Sequence, residues 1–134
     1  MRLLPDTSVW VDYLRGKDAD TVAELDRYLE GESVLVCGPV ISELLAGTAP
    51  DHQEALWLGI GSLPWAAIDQ PAWRQVGEVA GELRRAGISV PLTDVAIAVA
   101  AAGAEAALWT RDADFERIQT ALPELALHPD RPDG

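Results

Sequence analysis

Residues 92–118 read Leu92-Thr93-Asp94-Val95-Ala96-Ile97-Ala98-Val99-Ala100-Ala101-Ala102-Gly103-Ala104-Glu105-Ala106-Ala107-Leu108-Trp109-Thr110-Arg111-Asp112-Ala113-Asp114-Phe115-Glu116-Arg117-Ile118. From Thr93-Asp94 to about Ala102 the pattern is a helix, apolar nearly all round, as a buried helix is. Gly103 closes it. Ala106 to Trp109 reads as a short apolar strand, and Asp112 to Ile118 as a short helix or turn. The stretch thus alternates helix and buried strand, and the same alternation extends in both directions.

Upstream, Ile88 to Leu92 is short and extended, broken by Pro91. Asp69 to Arg85 is the clearest amphipathic helix, with Trp73, Val76, Val79, Ala80 and Leu83 on one face. Arg84 and Arg85 fall in its last turn, where cations suit the helix dipole. Gly61 to Ile68 reads as a loop with a weak strand at its end, and Asp51 to Leu58 as a helix. Gly38-Pro39 opens a helix with Val40, Ile41, Leu44 and Leu45 as its apolar stripe, and Gly47 ends it. Ser33 to Cys37 has the β-branched character of a buried strand. Thr21 to Leu29 and Thr7 to Leu14 are amphipathic helices, and Leu3-Leu4 is a brief apolar start before Pro5-Asp6. Downstream, Leu125 to Leu127 is a last short strand. The reading is one domain over 1–128 with a loose tail at 129–134, built as an α/β sandwich around a mainly parallel sheet.

The chain has 134 residues, enough for one core. It is 49% hydrophobic, too apolar for a disordered chain. Its 22 acids against 10 Lys and Arg give −12, which excludes a wide basic footprint on nucleic acid or an anionic membrane. Cys37 is the single cysteine, so no internal disulfide can form. No apolar run reaches the roughly 18 residues that span a bilayer, and the N-terminus turns polar too soon for a signal peptide. A cytoplasmic location is expected.

Most of the acids are ordinary surface, but a few stand where a surface acid has no reason to be. Asp6 follows the first strand, at the edge where open parallel sheets bind ligands; a helix N-cap is the alternative. Glu43 interrupts an apolar helix face. Asp94 begins the most apolar helix. Asp112 and Asp114 follow the strand 106–109. On a parallel sheet these positions can converge, and clustered carboxylates repel unless some protonate or a cation joins them. Oxygen ligands without His or Cys point to Mg²⁺ or Mn²⁺. His52 and His128 read as surface residues, Asp18 and Asp20 as solvated loop acids, and Cys37 as a core residue.

Four segments in order, Asp6-Thr7-Ser8-Val9-Trp10, Ile41-Ser42-Glu43-Leu44-Leu45-Ala46-Gly47, Thr93-Asp94-Val95-Ala96-Ile97-Ala98 and Thr110-Arg111-Asp112-Ala113-Asp114-Phe115, resemble the PIN-domain ribonucleases, in particular the VapC toxins of bacterial toxin–antitoxin pairs. The resemblance covers nearly the whole chain. It implies a three-layer α/β/α sandwich and a metal held by Asp6, Glu43, Asp94 and the Asp112/Asp114 pair. Within the pair Asp112 is the expected ligand, with Asp114 behind it or acting through water. It implies an endoribonuclease whose metal-activated water attacks RNA, with Thr7, Ser8 and Arg111 as residues near the substrate. It also implies a VapB-type antitoxin whose segment covers the acidic site, and a homodimer. The RNA could be tRNA, rRNA or mRNA. Trp57 and Trp65 are candidate interface anchors, and Trp73 is expected in the core. One departure stands out: Pro5 takes the last strand position, where an aliphatic residue is usual, and proline cannot donate to the ladder.

Two other classes compete. A phospho-accepting receiver domain needs a late lysine, whereas Lys17, the only lysine, lies in an early loop. A PIN-like module that binds protein or RNA without cutting is the non-enzymatic alternative.

Overall fold

The computed structural model describes residues 2–129. Three parallel strands, β1 (Arg2–Pro5), β2 (Ala106–Trp109) and β3 (Ala126–His128), lie in the order β1-β2-β3. Leu4 is in register with Leu108, and Leu108 with Leu127. Every residue of β2 is buried, so helices cover both faces of the sheet. Among the described residues seven α-helices connect the strands: α1 (Thr7–Arg15), α2 (Ala19–Glu30), α3 (Gly38–Ala46), α4 (Pro50–Gly59), α5 (Gln70–Arg85), α6 (Leu92–Gly103) and α7 (Asp114–Ile118). A single 3₁₀ turn follows α4 at Ile60–Ser62.

The helix boundaries follow from caps. Asp6 accepts the Val9 N–H at the start of α1, and Gly16 ends it in the left-handed region at φ 65°, donating to the Asp12 and Tyr13 carbonyls. Asp69 accepts the Ala72 N–H at the start of α5. Asp18 is also a cap rather than a solvated loop acid: it accepts from the amides of Asp20 and Thr21, which starts α2 two residues earlier than its apolar pattern suggests. Helix α6 is the centre of the molecule. Val95 through Ala101 are all buried, and α6 touches α3, α5, α7 and β2. Its small side chains let four elements approach one helix closely.

In the segment 33–37, Val34 to Cys37 are buried, but the segment is not a regular strand. It makes one parallel bridge to β1, Leu3 with Val34, and one to Trp65 through Val36. The reason is Pro5. Leu3 N–H donates to the Ser33 carbonyl and Leu35 N–H to the Leu3 carbonyl. The next rung would require an N–H at Pro5, which has none. On its other side β1 is undisturbed, because the Asp6 amide continues the ladder to the Trp109 carbonyl at 2.9 Å. The extended residues around 34, 36 and 65 nevertheless widen the parallel array beyond β1.

Two other positions depart from expectation. His128 belongs to β3 instead of a surface loop: it is half-buried, its Nε2 lies 3.3 Å from Glu24 Oε2, and its ring meets the edges of Tyr28 and Trp109. Trp73 is 51% exposed rather than in the core, because it stands at the first turn of α5 beyond the buried stripe Val76, Val79 and Leu83. Cys37 is fully buried, and burial pushes its thiol up to about 11, as befits a core residue. The expected tail lies, apart from Pro129, outside the described residues.

Candidate metal centre

The edge of the sheet at the C-terminal ends of β1 and β2 carries the acids. Asp6 is placed by the β1–α1 junction, Asp112 and Asp114 by the β2–α7 junction, Asp94 by the first turn of α6, and Glu43 by the exposed side of α3. Carboxylate oxygens of Asp94, Asp112 and Asp114 all lie within 4.8 Å of one another. Asp6 and Glu43 are not part of that mutually close trio, but their charges reach Asp94. The Asp94 carboxyl is pushed up to about 6, first by burial and then by the charges of Asp112, Glu43, Asp114 and Asp6. Of the five acids singled out in the sequence, the fold brings Asp94, Asp112 and Asp114 into one cluster, while Asp6 and Glu43 bear on Asp94 through their charge.

Asp6 is the most enclosed, at 6% exposure. Burial raises its pKa, while hydrogen bonds from Ser8, Thr110 and Val9 pull in the opposite direction. Ser8 Oγ donates to Oδ1 at 2.5 Å, and Thr110 Oγ1 donates to Oδ2 at 2.5 Å. Thr7 Oγ1 donates to Glu43 Oε1 at 2.6 Å, which orients a side chain that its helix leaves in solvent. Asp112 Oδ1 accepts the Asp114 N–H at 2.9 Å in an Asx turn, and Arg117 pairs with Asp114 at 3.1 Å.

Arg111 faces away from the acids. Its guanidinium bonds Asp12 at 3.2 Å, hydrogen-bonds Thr21, lies 3.8 Å from Asp18 and sits over the Trp109 ring. The residues expected near the substrate thus have their side chains engaged within the protein: Thr7 and Ser8 on carboxylates, Arg111 on the α1–α2 corner. Thr110 was not singled out from the sequence, although a small polar residue at a strand end just before two acids is a signal for it. Beside Glu43 opens a cleft of about 380 Å³ with Trp73, Leu92 and Pro39 in its walls.

The donor set fits a hard divalent cation. It consists of carboxylate oxygens; burial raises the proton affinity of Asp6 and Asp94, neighbouring carboxylates raise that of Asp94 further, and a +2 charge offsets both effects. The PIN domain family model matches residues 3–121. The chain belongs to the PIN domain family. Among curated relatives, this PIN domain is 32% identical over 121 residues to a VapC ribonuclease, Mb1587, of Mycobacterium bovis, with 87% of this chain and 90% of that one covered. The same figures hold for ribonuclease VapC11 of Mycobacterium tuberculosis. Among solved structures, VapBC2 from Rickettsia felis, bound to a DNA fragment from its promoter, superposes with a TM-score of 0.77 at 20% identity, covering 96% of this chain and 98% of that one. That likeness shows the α/β PIN fold, and the sequence relatives place the chain in the VapC branch of the family.

Proposed function

We propose that this PIN domain is a metal-dependent endoribonuclease, the toxin of a VapBC-type pair, which hydrolyses RNA phosphodiester bonds at the carboxylate edge. The observation that carries the reading is the meeting of Asp94, Asp112 and Asp114 within 4.8 Å, with Asp6 and Glu43 close enough to raise Asp94. Asp6, Glu43, Asp94 and Asp112 are assigned as catalytic ligands of Mg²⁺ or Mn²⁺, with Asp114 completing the set. A bound divalent ion would supply a water of lowered pKa and neutralise charge on the scissile phosphate. The chain's own part is to hold the oxygens in place and to accept the water's proton on a carboxylate. Thr7 and Ser8 serve by fixing Glu43 and Asp6.

The partners follow from charge and kinship. A chain at −12 offers a basic antitoxin segment a complementary surface, and the solved neighbours include VapBC complexes. A VapB-type antitoxin is therefore assigned as partner, with a homodimer as the toxin's own assembly. Among the described residues no helix is long and apolar enough to cross a membrane, and with a single cysteine a reducing cytoplasm is the assigned compartment. The test compares wild type with D6N and D94N by sequencing cleaved 5′ ends after induction, with purified protein assayed with and without EDTA. Loss of cleavage in both variants and in EDTA is expected. Full cleavage by both variants, or undiminished cleavage in EDTA, would overturn the proposal. A chain that binds its partner but no Mn²⁺ would favour the non-catalytic module.

A further inference from the structure

We infer that Ser8 and Thr110 are a pair of positioning residues that clamp Asp6 to the loop bearing Asp112 and Asp114. The inference rests on the metal-dependent reading above only for its consequence, not for its geometry. Each hydroxyl sits between a backbone amide and one oxygen of Asp6. Arg111 N–H donates to Ser8 Oγ at 3.2 Å, and Ser8 Oγ donates to Asp6 Oδ1. Asp112 N–H donates to Thr110 Oγ1 at 3.0 Å, and Thr110 Oγ1 donates to Asp6 Oδ2.

A hydroxyl carries a single proton and two acceptor positions. With an amide N–H filling one acceptor position, the proton is directed at the carboxylate. Both hydroxyls therefore meet Asp6 as donors, and the backbone of 111–112 sets that direction. The loop is joined to Asp6 by two parallel relays in addition to the β1–β2 ladder. The Thr110 relay continues onward, since Asp112 Oδ1 accepts the Asp114 N–H. Asp6, Asp112 and Asp114 are thereby linked in one series of bonds across more than a hundred residues of sequence. Partners behind a ligand commonly govern affinity through its orientation.

The test uses the full chain and its T110V, T110S and S8A variants, with Mn²⁺ as the probe in calorimetric titration. T110V and S8A are each expected to weaken Mn²⁺ about 10- to 100-fold, while T110S stays within about threefold of wild type because it keeps the hydroxyl. Amide hydrogen exchange supplies a readout that needs no metal: it quickens at Asp112 in T110V and at Arg111 in S8A. Wild-type Mn²⁺ affinity in T110V and S8A overturns the clamp. So does a T110S as impaired as T110V, which would assign the effect to packing of the methyl group. If T110V fails to fold, S8A, at a half-buried position, decides by the same criteria. A wild-type chain that binds Mn²⁺ and shows these differences but leaves RNA uncut keeps the clamp and defeats the ribonuclease reading. If wild type binds no Mn²⁺, the metal reading fails and unchanged exchange at Asp112 and Arg111 overturns the clamp on its own.

Discussion

Removing the charge at Asp94 should stabilise the metal-free protein near neutral pH while abolishing its response to divalent ions. The Asp94 carboxyl rises from 3.8 to about 6 on folding, through burial and four neighbouring carboxylates. Each tenfold gain in proton affinity corresponds to about 1.4 kcal/mol, so the ionised form carries a penalty of about 3 kcal/mol before solvent is considered. Asp94 is only half-buried, and screening at such a site brings this to roughly 1–2 kcal/mol. The sign follows from proton binding. Between about pH 4 and pH 6 the folded state holds more protons than the unfolded one, so stability falls as pH rises through that window and then levels off. D94N removes the group that ionises. Near pH 7.5 it should raise stability by roughly 1–2 kcal/mol, or a few degrees in Tm for a domain of this size. Near pH 4 it should change little. Scanning calorimetry of both proteins in EDTA at the two pH values measures this. Added Mn²⁺ should then raise the Tm of wild type and leave that of D94N nearly unmoved. A D94N that is less stable than wild type near pH 7.5, or equally stabilised by Mn²⁺, refutes the reasoning that burial and neighbouring carboxylates together penalise the ionised Asp94 and that a cation relieves the penalty.

Three further outcomes are expected. R111A loses the contacts to Asp12, Asp18, Thr21 and Trp109 and should cost about 1–2 kcal/mol, an effect that denaturant titration should find smaller at high salt. Gly16→Ala meets no atom within 4 Å but must adopt φ 65°, so a loss of about 1 kcal/mol should appear in urea unfolding as backbone strain alone. Phe115→Ala empties a side chain that is 1% exposed and should lower stability by about 3–5 kcal/mol, measured in the same way.

Periodicity and caps made most of this structure legible in advance. The apolar surround of Val95 to Ala101 announced a buried helix, and the acids after Pro5 and Trp109 announced a sheet edge. What stayed hidden depended on partners distant in sequence. Whether Ser33 to Cys37 pairs as a strand is decided by the missing N–H of Pro5, thirty residues away. His128 looked polar and superficial because Glu24, Tyr28 and Trp109, which enclose it, cannot be placed from local pattern. The direction of Arg111 is set by acids on α1 and at the cap of α2, contacts that its position beside Asp112 does not reveal. Trp73 fits the helical stripe of α5, yet the stripe outruns the core by one turn.

The pairing of Arg2–Pro5 with Ala106–Trp109 has a consequence for synthesis. The first strand emerges from the ribosome early but has no β2 to pair with until about a hundred more residues have been translated. Asp6 cannot receive Thr110, nor Asp94 meet Asp112 and Asp114, before that point. A partly made chain therefore has no acidic centre, and a truncated product lacking β2 has none either. The centre therefore forms only after the chain has been made through β2 and the loop that follows it, so its assembly depends on residues more than a hundred positions apart in sequence.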